Sequence, residues 1–243
     1  MSTPRRRLHI LHLYPDQMNT YGDRGNVITL IKRAEWYGLE PVVHYHHPHR
    51  SLPSQIDLVF GGGGQDSAQS DIQRDILALG DTLRGLAKDG VPMLGICGTY
   101  QLFGHRFLAH DGEVIEGIGL FDMETRATKR RLIGNIAVDT TDFGTLYGFE
   151  NHSGQTYLGA SQQSLGKVLR GYGNNDRDKY EGARMHNAIG TYMHGPVLPL
   201  NPQLADWLLV TAYRRTYGEQ LRLTAIDDQY VTMARSAAKN RKY

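Results

Sequence analysis

A single cysteine, Cys97, serves all 243 residues, so no internal disulfide can form and no cysteine-based metal cluster is expected. Excess charge is equally scarce. The formal net charge is +2, which gives no general attraction to nucleic acid, and the short basic runs Arg5-Arg6-Arg7 and Arg241-Lys242 read as solvated tails. No apolar stretch approaches the roughly 18 residues that span a bilayer. The segment 8–13 behind the first basic run is too short and too polar for a signal-peptide core, so the chain is expected in the cytoplasm. Internal repeats, low-complexity tracts and linkers are absent. The 61–64 glycine run lacks the Lys-Ser/Thr that would follow in a phosphate-binding loop, and Gly22-Asp23-Arg24-Gly25-Asn26 is not a dinucleotide fingerprint. No ATP site is expected, and no other cofactor. With 40% hydrophobic and 21% charged residues, the composition fits one globular domain over 1–243, with 218–243 as a C-terminal extension.

What is present is an alternation of strands and helices. The run 8–13 suits a buried first strand. Val27, Leu30, Ile31 and Ala34 then recur at helical spacing, with Gly38 placed to stop the helix. Segments 41–45, 56–60 and 90–96 read as further strands, and Ile72, Ile76, Leu79, Leu83 and Leu86 mark a long helix between the last two. Repeated βα units predict a mostly parallel central sheet flanked by helices. After Gly112 the character changes: 136–138, 146–149 and 167–169 read as short strands that add antiparallel members to the same sheet. Segment 188–193 is one more strand. Asn201-Pro202 opens a helix in cap-then-proline order, with Leu204, Trp207, Leu208, Thr211 and Ala212 inward. A last helix is predicted over about 225–239.

Cys97 lies between a predicted strand and helix in Gly95-Ile96-Cys97-Gly98-Thr99-Tyr100-Gln101. A sharp strand-to-helix turn between small residues lifts a side chain clear of the sheet. The helix start favours thiolate there, and ligands of open parallel sheets collect at strand carboxyl ends. A buried filler cysteine is the alternative; the flanking glycines favour a nucleophile. The amide of Gly98 and one from the 61–64 run are candidate oxyanion donors. Among eleven histidines, His194 closes an apolar strand ahead of Gly195-Pro196, which places it beside the turn as general base. His152, in Glu150-Asn151-His152-Ser153-Gly154, is its rival. His44, His46, His47 and His49 read as a polar strand end and loop rather than a metal site, and no metal is expected.

The glycine run with Gln65-Asp66, the 95–101 segment, the 150–154 segment and Tyr192-Met193-His194-Gly195-Pro196 together resemble the class I glutamine amidotransferases, specifically their cobyric-acid-synthase-like branch. The resemblance implies an α/β, flavodoxin-like fold with added antiparallel strands. It also implies glutamine hydrolysis by Cys97 and His194, with oxyanion donors at Gly98 and Gly62. The opening stretch 13–26, and the absence of the long synthetase domain carried by cobyric acid synthases, make the chain similar to the separate glutaminase subunits of lipid II isoglutaminyl synthases. That likeness implies Arg131 as grip for the substrate α-carboxylate, with Lys129 and Arg130 as neighbouring possibilities, and Gln101, Asn151, His152 and Gly154 as supporting contacts.

The same likeness implies a heterodimer with a Mur-ligase-like synthetase of the MurT type. ATP and Mg would sit in that partner, and the membrane would be met only indirectly, through lipid II. Ammonia would convert the D-glutamate of the stem peptide to D-isoglutamine. The alternatives are a glutaminase for cobyrinate-type amidation, a cysteine peptidase or hydrolase, or a non-catalytic scaffold. One departure matters. Many class I members carry glutamate two residues after the histidine, where this chain has Pro196, so the site is expected to be a dyad or to take its third group from elsewhere, such as the partner subunit.

Overall fold

A computed structural model describes residues 5–240; Arg241-Lys242 lie outside the described residues. Leu8, Ile10, Leu11 and Leu13 are all fully buried, as expected of a strand covered on both faces. They belong to β1 (Arg7–Leu13), which is followed by α1 (Arg24–Trp36), β2 (Glu40–His46), β3 (Leu58–Gly61), α2 (Asp66–Lys88), β4 (Met93–Ile96) and α3 (Gly98–Phe103). Then come β5 (Arg106–Leu108), β6 (Val114–Glu116), β7 (Met123–Thr140), β8 (Gly144–Leu158), β9 (Gly166–Arg170), β10 (Tyr180–Glu181), β11 (Ala183–Met185) and β12 (Ala188–Thr191). Three helices finish the chain: α4 (Val197–Leu200), α5 (Pro202–Tyr217) and α6 (Gln229–Asn240).

The first sheet runs β11-β12-β4-β3-β1-β2. All its neighbours are parallel except the β11–β12 pair. The chain moves outward from β1 to β2, then returns across β1 to β3, so the carboxyl ends of β1 and β3 flank a topological switch point. Ile72, Ile76 and Leu83 of α2 are buried along one stripe, and burying each such side chain contributes about 1.5–3 kcal/mol.

The region after Gly112 departs from the sequence expectation. Most of its strands, together with β5, build a second sheet, ordered β10-β9-β7-β5-β6 with β8 on β7; only β11 adds an antiparallel strand to the first. The short strands read at 136–138 and 146–149 are parts of one long hairpin, with β7 and β8 paired from Met123↔Leu158 to Thr140↔Gly144. Lys129-Arg130-Arg131 carry no local strand signal and fall in the irregular stretch of β7 between the pairs Ala127↔Gly154 and Leu132↔His152, so the paired segments on either side hold them in the hairpin. A bridge between Phe149 and His194 ties the hairpin to the end of β12.

Asn201 precedes α5 with Pro202 in its first turn, as read. Leu204, Leu208, Thr211 and Ala212 are buried, whereas Trp207 is only half-buried and sets its ring edge-on to Phe143 at 5.2 Å. The C-terminal segment is anchored by Arg33, which is 4% exposed. Its guanidinium forks onto Asp206 at 2.6 and 2.7 Å and also reaches Asp228 at 2.9 Å. No helix among the described residues is long and apolar enough to cross a membrane.

Candidate active site

Cys97 sits in the turn between β4 and α3 with φ 45° and ψ −98°. This is a sparsely populated conformation for a residue with a Cβ, of the kind that surrounding structure must hold in place. Its N–H donates to Thr191 O at 2.8 Å and its carbonyl accepts from Gln101 N–H at 2.9 Å. Gly98 is required by contact: a Cβ there would lie 2.7 Å from the backbone nitrogen of Gly64.

His194 follows β12 in a neighbouring position. Its backbone is clamped to Phe149 by His194 N–H to Phe149 O at 2.7 Å and Phe149 N–H to His194 O at 3.1 Å. Nδ1 lies 3.1 Å from Asp23 Oδ2, and the same carboxylate oxygen accepts the Gly63 N–H at 2.8 Å. Because a carboxylate only accepts, the shared proton is on Nδ1. Nε2 has no hydrogen-bond partner among the described residues and is left for the sulfur. Both His194 and Asp23 are fully buried. A Cβ on Gly63 would fall 2.5 Å from His194 Cε1, 3.1 Å from Asp23 Oδ2 and 3.4 Å from Cys97 Cβ, so that glycine marks where the three side chains converge. Burial pulls the imidazole pKa down, but the Cys97 charge and the Asp23 hydrogen bond outweigh it and push the pKa up to about 10.

Asp23 is the residue that sequence reasoning missed: a carboxylate within this chain, rather than one from a partner, hydrogen-bonds the His194 ring. It lies 171 residues from His194, and nothing local in Gly22-Asp23-Arg24-Gly25-Asn26 identifies it. The contacts explain the motif. A Cβ at Gly25 would strike Pro196 Cγ at 2.4 Å, while Asn26 Oδ1 accepts the Leu198 N–H at 2.9 Å. The Asp23 turn is thus packed directly on the loop that carries His194 and Pro196. Asp23 follows β1, the glycine run follows β3, Cys97 follows β4 and His194 follows β12, so the site collects the carboxyl ends of four parallel strands.

A cavity of about 390 Å³ opens beside Cys97, lined by Thr20, Tyr21, Gly64, Gln65, Asp66, Ser67, Gln101, Arg131 and the 151–154 segment. A larger hollow of about 1020 Å³ lies among residues such as Asp142, Tyr180 and Arg184 and does not touch Cys97; of the two, only the smaller is lined by the cysteine. Arg131 reaches the cavity because β7 bulges between Ala127, opposite Gly154, and Leu132, opposite His152. Its Nε donates to Asn151 Oδ1, and Nη1 and Nη2 form no hydrogen bond among the described residues. Arg130 instead turns to Asp176 and lies over the Tyr172 ring, and Lys129 does not line the cavity.

Gln101 is held at both ends, accepting from Gln69 Nε2 at 2.8 Å and donating to Tyr192 OH at 3.1 Å. Gly154 leaves it room, since a Cβ there would sit 2.4 Å from Gln101 Nε2. His152 lines the cavity too, but its ring stacks on Tyr192 at 3.6 Å and its Nδ1 is 2.6 Å from Gly154 O. Its nearest carboxylate oxygen, on Glu150, stands at 3.9 Å from Nε2. Of the glycine run, Gly64 rather than Gly62 reaches the cavity wall. Gly62 is turned toward Met18 and its carbonyl accepts from the Thr99 hydroxyl at 2.7 Å.

The 44–49 histidines disperse. His44 Nε2 meets His9 Nδ1 at 2.9 Å, His46 meets Asp75 at 2.9 Å and His47 meets Asp16 at 3.1 Å. No group of three or more potential ligands converges among the described residues.

The chain is 40% identical to the lipid II isoglutaminyl synthase (glutamine-hydrolyzing) subunit GatD of Staphylococcus aureus over 209 residues, 86% of this chain and 85% of that one. It is also 40% identical to GatD of Streptococcus pneumoniae over 225 residues, 91% and 86% of the two chains. Among solved structures, PurLQS from Thermotoga maritima superposes with a TM-score of 0.60 at 13% identity, covering 85% of this chain and 98% of that one; at that identity the likeness is one of fold. Residues 9–202 match the CobB/CobQ-like glutamine amidotransferase domain, a span that includes Asp23, the glycine run, Cys97 and His194, and the chain belongs to that family.

Proposed function

We propose that this chain is the glutaminase subunit of a lipid II isoglutaminyl synthase, acting as one catalytic domain that supplies ammonia to a separate synthetase. The observation that carries the reading is the convergence of Cys97, His194 and Asp23 beside a cavity that Cys97 and Arg131 both line. The likeness to two GatD chains along most of their length supports the cell-wall destination.

In the proposed cycle, the Cys97 sulfur attacks the side-chain amide carbon of glutamine, and the carbonyl π electrons move to oxygen. Backbone N–H groups of Gly98 and of a glycine in the 61–64 run, Gly62 or the cavity-lining Gly64, receive that oxyanion. As the tetrahedral species collapses, His194 donates its proton and ammonia leaves. The neutral imidazole then takes a proton from water, whose oxygen attacks the thioester, and glutamate departs with the thiolate restored. Asp23 holds the ring with Nε2 toward sulfur and stabilises the imidazolium. Arg131 grips the α-carboxylate, while Gln101, Asn151, His152 and Gly154 shape the cavity around the substrate.

The partner in this reading is a Mur-ligase-like synthetase of the MurT type, forming a heterodimer in the cytoplasm. ATP and Mg belong to that partner, and this chain needs no cofactor of its own. The test is glutamate release from L-glutamine by wild type and Cys97→Ser, each with and without the synthetase. Release by the wild-type complex and its loss in Cys97→Ser are expected. A wild-type complex that releases no glutamate refutes the reading.

A further inference from the structure

Glutamine is a zwitterion at its α-carbon, so a selective site must answer an ammonium as well as a carboxylate. Of the residues lining the cavity beside Cys97, Arg131 is the one lysine or arginine and Asp66 is the one acidic side chain. Asp66 opens α2, separated from the glycine run by Gln65, and its carboxylate forms no ion pair among the described residues. Its surroundings hold the Asp66 carboxyl above its ordinary range, chiefly by desolvation and against the pull of His110; the Arg131 charge also reaches it. The two charges that a glutamine α-carbon requires are therefore presented within one cavity, which Cys97 also lines.

We infer that Asp66 is the specificity-determining residue for glutamine's α-ammonium, receiving it while Arg131 holds the α-carboxylate. This rests on the glutaminase reading and adds to it a means of rejecting amides that lack the amine. The competing role for an acid at this position is to complement the positive end of α2, a surface effect without substrate preference.

The experiment measures ammonia release by the full chain, with its synthetase present, from L-glutamine and from glutaramate, which is glutamine without the α-amino group. A charge-assisted contact predicts a wild-type preference for glutamine of about 10- to 100-fold in kcat/KM, carried mainly by KM. Asp66→Asn is expected to bring that ratio to within about threefold of unity, and Asp66→Glu, which keeps the charge, to retain a preference. An Asp66→Asn variant that slows both substrates equally, leaving the ratio as in wild type, overturns the inference and assigns Asp66 to the helix end. Wild type releasing ammonia from neither substrate removes the glutaminase reading itself, and the inference with it, an outcome distinct from an unchanged ratio.

Discussion

Replacing Asp23 by asparagine tests the orientation of His194 at nearly constant volume. The imidazole pKa rises from 6.5 to about 10, and at 1.36 kcal/mol per pH unit its surroundings favour the protonated ring by about 5 kcal/mol net of burial. The Cys97 charge is the largest favourable contribution, with the Asp23 hydrogen bond next. A hydrogen bond to a charged group contributes about 1.5–3 kcal/mol, so its loss alone slows the reaction about 10- to 100-fold. Asparagine can also present its amide N–H to Nδ1, which moves the ring proton to Nε2 and blocks acceptance from sulfur. In serine-histidine-aspartate triads that tautomer error costs about 10⁴ in kcat.

The expected result for Asp23→Asn is therefore a fall of about 10²- to 10⁴-fold in kcat for glutamate release, with KM moving far less. A kcat within about threefold of wild type in the presence of the synthetase would refute the assignment and return the orienting role to another group, such as one from the partner. A pH signature accompanies the rate. Because the folded-state pKa is raised, the stabilisation is complete below 6.5 and is lost as pH rises through about 10. The difference in Tm between wild type and Asp23→Asn should shrink across that window.

Gly63→Ala should cut glutamate release at least about 100-fold while the protein still folds, because its Cβ would meet His194 Cε1 at 2.5 Å and displace the ring; circular dichroism alongside the kinetics checks both parts. Arg131→Ala should raise KM for glutamine about 10- to 100-fold, whereas Arg130→Ala, removing a side chain turned toward Asp176, should leave KM near wild type; steady-state kinetics decides. Glu181 is fully buried, with Oε1 accepting from Tyr192 N–H and the Thr191 hydroxyl, and burial pushes its carboxyl pKa from 4.5 up to about 8. The folded chain keeps a proton that the unfolded chain releases, so this contribution to stability is full below 4.5 and lost as pH rises through about 8. Glu181→Gln should flatten the fall of Tm over that interval.

The chain order of chemistry was readable because it is local. The apolar run of β1, the periodicity of α2 and the glycine-flanked turn at Cys97 each record a constraint that acts within a few residues. The strand-to-helix turn position of Cys97 and the strand-end position of His194 followed from those constraints. The long β7–β8 hairpin was not readable, because polar residues such as Asn135 and Asn151 are ordered by their partners across the strand and not by their own propensities, and Lys129, Arg130 and Arg131 fall in an unpaired bulge between paired segments. That Arg131, already singled out from the sequence, lines the cavity while its two neighbours do not rests on a bulge opposite Ser153. Asp23 shows the division most plainly. A sequence fixes which carboxylates exist, but a pairing across 171 residues arises only when the parallel sheet gathers the carboxyl ends of β1, β3, β4 and β12 at one place. Gly25 against Pro196 then sets the final approach that brings that carboxylate to the ring.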